Sequence, residues 1–247
     1  MSNFDIGNFI NSLDGFFARN DLAGAGAFLL EEREKVKISG DKKSELTILN
    51  EMTGYYRQTG DEIKGTAAIN DALILIDEMN MQDKKSAGTI FLNCATTLKS
   101  FGRAKEAMPL YEKAEKILRE LSGNDLPLMA GLYNNMALAF QDLKDYEKAD
   151  EYFHLALDIC EKESRLPLEK AITLVNLAHL YFDIDNMDVR PTALMEEAAK
   201  ILENSENEKY PKYAYTCKKC APSFGFFGFF ADEKIIDKKA DKIYARA

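Results

Sequence analysis

The sequence predicts an all-α fold: a solenoid of about six antiparallel helical hairpins, filling residues 1–247 as a single domain. Three observations carry this. Six Pro and fourteen Gly in 247 residues is a low content of chain breakers, which favours long helices over many short strands. Asp41-Lys42-Lys43-Ser44 recurs as Asp83-Lys84-Lys85-Ser86, and Gly60 recurs as Gly102, both at a shift of 42 residues. In that register apolar residues fall at i, i+3, i+4 and i+7, one face of a helix.

The elements follow in order. Residues 4–38 form a divergent first hairpin with its break near Asn20-Asp21. A terminal repeat must turn one face to water, so divergence is expected there. The clear repeats span 46–79, 88–121, 130–163 and 171–205. Their first helices carry Leu49, Met52, Thr53 and Tyr56; then Phe91, Cys94, Ala95 and Leu98; then Tyr133, Met136, Ala137 and Phe140; then Leu174, Leu177, Ala178 and Tyr181. Cys217, Cys220, Ala221 and Phe224 are a fainter copy in a last hairpin, 214–247. The second helices are marked by Ala107, Tyr111 and Ala114, and by Ala149, Phe153 and Ala156. Small residues a turn or two apart let a neighbouring helix come close. The links are short and polar, as in Gly60-Asp61 and Lys144-Asp145, and Pro127, Pro167 and Pro211 stand three or four residues before the first helices. Proline suits an opening turn, where its missing N–H would be unpaired anyway.

This pattern resembles the tetratricopeptide repeat family over at least residues 46–203. The fullest copy is Tyr133, Met136, Ala137, Phe140, Tyr146, Ala149, Phe153 and Ala156. The 42-residue period and the join Leu121-Ser122-Gly123-Asn124-Asp125-Leu126-Pro127 are similar to the long repeats of kinesin light chains and related bacterial proteins. The resemblance implies a right-handed superhelical solenoid, and a non-catalytic scaffold that binds a protein or peptide segment in the concave groove. It also leaves open a regulator that responds to signalling peptides. No DNA-binding helix-turn-helix precedes the repeats, so such a regulator would act on a separate effector. A self-associating architectural protein is the third reading.

Composition narrows the partners. Thirty-two basic against 41 acidic residues give a net charge of −9, which argues against a nucleic-acid binder, since that affinity is built on clustered Lys and Arg. No stretch approaches the roughly 20 apolar residues that span a bilayer, and Met1 to Ile10 lacks the pattern of a secretory signal. Four irregularly spaced Cys do not make a disulfide framework. A cytoplasmic protein without membrane contact is expected.

The far side of each first helix holds the candidate ligand residues. Two residues after the first core slot stand Asn93, Asn135 and Asn176, with Asn50 and Asn134 one residue earlier at the side. Asn costs roughly half a kcal/mol in a helix relative to Ala, Glu or Lys, so its recurrence in one register needs a reason. A carboxamide offers donor and acceptor together, which an extended main chain can match without any reading of its sequence. The rival is an Asn that bonds across to the adjacent repeat. Arg57, Lys99, Gln141, His179, Tyr215, Lys218 and Lys219 project to the same side, diluted by Glu51, Asp142 and Asp183. The family's chaperone-tail clamp does not assemble here, because Leu92 and Val175 fall where polar residues are needed.

Signals for chemistry are weak. Cys217-Lys218-Lys219-Cys220 has the spacing of half a zinc site, yet Cys94 and Cys160 stand alone and His154 and His179 are the only histidines. Both paired cysteines fall on core slots, where Cys behaves as a small hydrophobe. No metal, cofactor or catalytic residue is expected. In Phe224-Gly225-Phe226-Phe227-Gly228-Phe229-Phe230, Phe224 takes a core slot and Phe230 the aromatic slot of Tyr146. Phe226, Phe227 and Phe229 are left as extra core or as a patch for a partner or a second copy of the chain. The run Lys234–Lys242 reads as a last amphipathic helix.

Overall fold

The computed structural model describes residues 4–121, 125–163, 165–209 and 212–245. Ser122, Gly123 and Asn124 of the long join, and Pro211, lie outside them. Among the described residues there are twelve α-helices, one short 3-10 helix and no strand. The helices are α1 (Ile6–Ala18), α2 (Leu22–Ser39), α3 (Lys42–Thr59), α4 (Glu62–Glu78), α5 (Lys85–Ser100) and α6 (Ala104–Leu121). They continue as α7 (Leu126–Asp142), α8 (Tyr146–Lys162), α9 (Pro167–Ile184), α10 (Arg190–Glu203), α11 (Tyr213–Phe226) and α12 (Phe230–Tyr244). The 3-10 turn, Ser205–Lys209, precedes α11. Consecutive odd and even helices pair as six hairpins, and these fall into two compact units, Met1–Gly123 and Asn124–Ala247.

Short-range chemistry sets the helix ends. Asp5, Asp21, Asp41, Asp61 and Asp145 each cap a helix by accepting the backbone N–H three residues on, which satisfies one of the orphan donors of the first turn. α3 ends at Gly60 with φ 71°, a left-handed conformation that costs glycine little. The repeated Asp-Lys-Lys-Ser does not play one role twice. Asp41 caps α3, whereas α5 starts after Lys84, which makes no side-chain cap bond. The prolines also sit further in than their spacing predicts. Pro167 opens α9 and Pro127 is the second residue of α7, because the first turn has no use for those N–H groups. Pro109 and Pro222 stand inside α6 and α11.

The repeat register places the core. In unit 1, Leu49, Met52, Thr53 and Tyr56 of α3 and Phe91, Cys94, Ala95 and Leu98 of α5 are all buried. In unit 2, Tyr133, Met136 and Ala137 of α7, the four slots of α9, and Cys217, Cys220, Ala221 and Phe224 of α11 are buried too, while Phe140 packs on that core partly exposed. Ala107, Tyr111 and Ala114 of α6 and Ala149, Phe153 and Ala156 of α8 close the hairpins. The small residues mark real contact: a Cβ on Gly88 of α5 would stand 3.0 Å from Leu118 Cγ of α6.

Candidate functional site

Asn50, Asn93, Asn134 and Asn176 lie where successive first helices pack side by side, and they bond in pairs. In unit 1, Asn93 Nδ2 of α5 donates to Asn50 Oδ1 of α3 at 2.8 Å. Asn50 is oriented for this because its own Nδ2 donates to Glu51 Oε1 at 3.0 Å, and a carboxylate can only accept. In unit 2, Asn176 Nδ2 of α9 donates to Asn134 Oδ1 of α7 at 2.9 Å. Asn134 is buried, while Asn50, Asn93, Asn135 and Asn176 are half-buried. Each pair joins the side position of one repeat to the far-side position of the next.

Other predicted site residues follow the same rule. Gln141 Nε2 of α7 donates to Asp183 Oδ2 of α9 at 2.7 Å, leaving Gln141 Oε1 buried without a partner among the described residues. His179 Nε2 of α9 lies 2.9 Å from Ser223 Oγ of α11, with its ring against Phe226 and Phe227. Burial pulls the His179 pKa below its ordinary value, against the opposing charge of Asp183, so the imidazole is neutral near pH 7. Thr97 Oγ1 adds a contact to the Thr53 carbonyl at 3.3 Å. Sequence reasoning held an Asn bond to the adjacent repeat as the rival reading, but did not name which residues pair. The signal was present, since Asn50 and Asn93, Asn134 and Asn176, and Gln141 and Asp183 stand 42 or 43 residues apart.

The remaining candidates divide. Arg57 is exposed at the end of α3 and Lys99 half-buried near the end of α5. Leu92 and Val175, in the same side position as Asn50 and Asn134, are buried, so apolar and carboxamide contacts alternate there. Lys218 does not face the asparagine side: its ammonium meets Asp237 and Asp241 of α12 at 2.7 and 2.6 Å. Tyr215 is exposed. Glu51 is held above the usual carboxylate range, by burial first and by the charge of Asp14, while the Asn50 N–H opposes the shift.

All four cysteines are free thiols and buried. Cys217 and Cys220 are buried core residues, and burial pushes the Cys220 thiol up to about 12. Cys94 is likewise raised to about 12 by burial. Among the described residues no group of three or more His, Cys, Asp and Glu could hold a metal ion. Also among them, no helix is long and apolar enough to cross a membrane. Of the Phe-rich turn, Phe227 and Phe229 pack on the core. Phe226 and Phe230 are 57% and 62% exposed, so the slot that Tyr146 half-buries in its own repeat is not filled by Phe230.

Paired helical hairpins repeated in one register define a helical-repeat fold. Residues 128–188 match the tetratricopeptide repeat family. Comparison with curated proteins finds no match. Among solved structures, BtubC (BKLC) from P. vanneervenii is 24% identical with a TM-score of 0.60, over 93% of this chain and 91% of that one. MamA RS-1, an ArsTM double mutant, is 17% identical with a TM-score of 0.51, over 81% and 94%. A point variant of nearly identical TPR-like repeats from Podosopora anserina, described as kinesin light chain, is 16% identical with a TM-score of 0.50, over 82% and 96%. The chain has the fold of tetratricopeptide-repeat proteins, including the kinesin light chain-like kind.

Proposed function

We propose that this protein is a non-catalytic scaffold that holds an extended peptide segment of a partner against its first helices, gripping the main chain through braced asparagines. The observation that carries the reading is the unspent hydrogen-bonding capacity of Asn93 and Asn176. A carboxamide has two N–H donors and a carbonyl. Each of these residues uses one N–H on the preceding repeat, and its second N–H and its carbonyl have no partner among the described residues. Both side chains are half-exposed. The brace therefore helps the grip, because it fixes the amide before a ligand arrives and lowers the ordering cost of binding.

Main-chain gripping reads little sequence, so side chains around the asparagines supply the preference. Arg57 stands exposed at one end of the unit 1 face. In unit 2 the neutral His179, three residues on from Asn176 along α9, offers a less polar neighbour to the Asn134–Asn176 pair.

The test starts from peptides selected against the protein by display. Asn93→Ala is expected to weaken a peptide held on unit 1, and Asn135→Ala/Asn176→Ala one held on unit 2, by about two- to ten-fold for each bond lost, from about 0.5–1.5 kcal/mol per bond. A folded variant that binds its peptide with unchanged affinity would sink the reading.

A further inference from the structure

The link between α9 and α10 differs from its equivalents. It holds five residues, 185–189, where the other hairpins use two or three. It is also tied down at every step. Met187 N–H donates to Asp185 Oδ1 at 3.0 Å, and Asp188 N–H to the Asp185 carbonyl at 3.0 Å. Arg190 donates its backbone N–H and its guanidinium to Asp188 and lies 3.6 Å over the Tyr181 ring. Yet this ordered loop holds Met187 and Val189 out in water, 81% and 80% exposed.

The apolar surface does not stop at the loop. Ile184 is exposed at the end of α9, and Phe182, two residues earlier, packs edge-on against Phe226, whose ring lies 5.0 Å away. Phe230 stands exposed beyond it at the start of α12. One edge of unit 2 thus presents aliphatic and aromatic side chains on fixed backbone. Exposed apolar side chains gathered on ordered backbone in this way mark an interaction site.

Charge says what covers it. Asp183, Asp185 and Asp188 frame the loop, and Arg190 at its end is neutralised by Asp188 at 2.5 Å. Among the described residues, Asp183 bonds to a neutral amide and no ion pair reaches Asp185. A second copy of a chain with net charge −9 would bring carboxylates to carboxylates. We propose that this edge docks a different protein, one whose apolar surface is ringed by Lys and Arg. Met187, Val189 and Phe226 supply the contact, and Asp183 and Asp185 select the sign. The contact uses none of the asparagines.

The test uses a synthetic amphipathic helix with Leu at i, i+3, i+4 and i+7 and Lys elsewhere, its Glu-for-Lys counterpart, and the full chain. In fluorescence anisotropy the basic peptide is expected to bind and the acidic one not. The Met187→Ser/Val189→Ser variant, which changes no charge, should weaken binding about ten-fold or more, since each buried aliphatic side chain carries a large transfer term. Phe226→Ser should act in the same direction, and Asp183→Asn/Asp185→Asn should reduce the salt dependence. Amide hydrogen exchange should show protection over 182–190 and 226–230. Unchanged affinity in the Met187→Ser/Val189→Ser variant would overturn the proposal, because attraction would then be general charge alone. Equal binding of the acidic peptide would overturn it too. So would concentration-dependent dimerisation in sedimentation velocity that the same variant abolishes, which would make the occupant a second copy.

Discussion

Replacing Asn176 by Ala separates a brace from a solvated side chain, and the two asparagine pairs predict different costs. Asn134 is buried, so loss of the Asn176 donor leaves its Oδ1 without a bond and shielded from water. An unsatisfied buried acceptor costs about 1–3 kcal/mol, and Ala returns about 0.5 kcal/mol as the better helix former. Asn176→Ala should therefore destabilise unit 2 by about 0.5–2.5 kcal/mol. Asn50 is half-exposed, so water replaces the donor lost in Asn93→Ala, and the same arithmetic leaves only about 0–1 kcal/mol. Removing both partners in Asn134→Ala/Asn176→Ala leaves nothing unpaired, so the double variant should cost less than the sum of the singles, with a coupling of about 1 kcal/mol. Urea denaturation followed by far-ultraviolet circular dichroism reads these three variants and Asn134→Ala, which completes the cycle. Equal costs for Asn176→Ala and Asn93→Ala, or a coupling within about 0.3 kcal/mol of zero, would refute the brace.

Three further outcomes follow from the same structure. Ala137 is fully buried against the hairpin core, so Ala137→Trp should lower stability by about 1–3 kcal/mol or more through overpacking, read as a lower urea midpoint. Cys217→Ala/Cys220→Ala should shift stability modestly and leave zinc at background by elemental analysis, and the native thiols should react with a thiol reagent only as the chain unfolds, because burial raises all four. Burial also raises Glu51, so the folded state binds this proton more tightly than the unfolded one. Its contribution to stability is full below the unfolded pKa of about 4.3 and is lost as pH rises through the raised folded value. Glu51→Gln should flatten that decline in denaturation midpoints measured across the acid range.

The hairpins were legible because 42-residue spacing and i, i+3, i+4, i+7 patterning are properties of one chain face and need no knowledge of neighbours. Leu49, Phe91, Tyr133 and Leu174 sit in the core for that reason. The break at Asn20-Asp21 was legible from local turn chemistry, and Asn20 does adopt φ 56°. The partners of polar residues were not legible, since a helix face predicts direction but not what stands opposite. Lys218 shares the pattern of a groove residue, yet the carboxylates of Asp237 and Asp241 turn it toward α12. Asn93 and Asn176 fit both a ligand ladder and a brace until Asn50 and Asn134 are placed beside them. The five-residue link at 185–189 reads from sequence only as a slightly irregular period, and nothing in its composition says that Asp185, Asp188 and Arg190 hold Met187 and Val189 outward.

The most direct test of main-chain gripping watches the asparagine side chains themselves. With 15N confined to asparagine, the side-chain amide signals of Asn50, Asn93, Asn134, Asn135 and Asn176 can be followed by NMR while a display-selected peptide is added. If braced carboxamides hold the ligand, the Nδ2 signals of Asn93 or of Asn176, according to the unit the peptide occupies, shift at saturation, and the free N–H moves more than the one bonded to Asn50 or Asn134. If the peptide binds and these signals stay in place, the asparagines join repeats and do nothing more, and the grip lies on another surface.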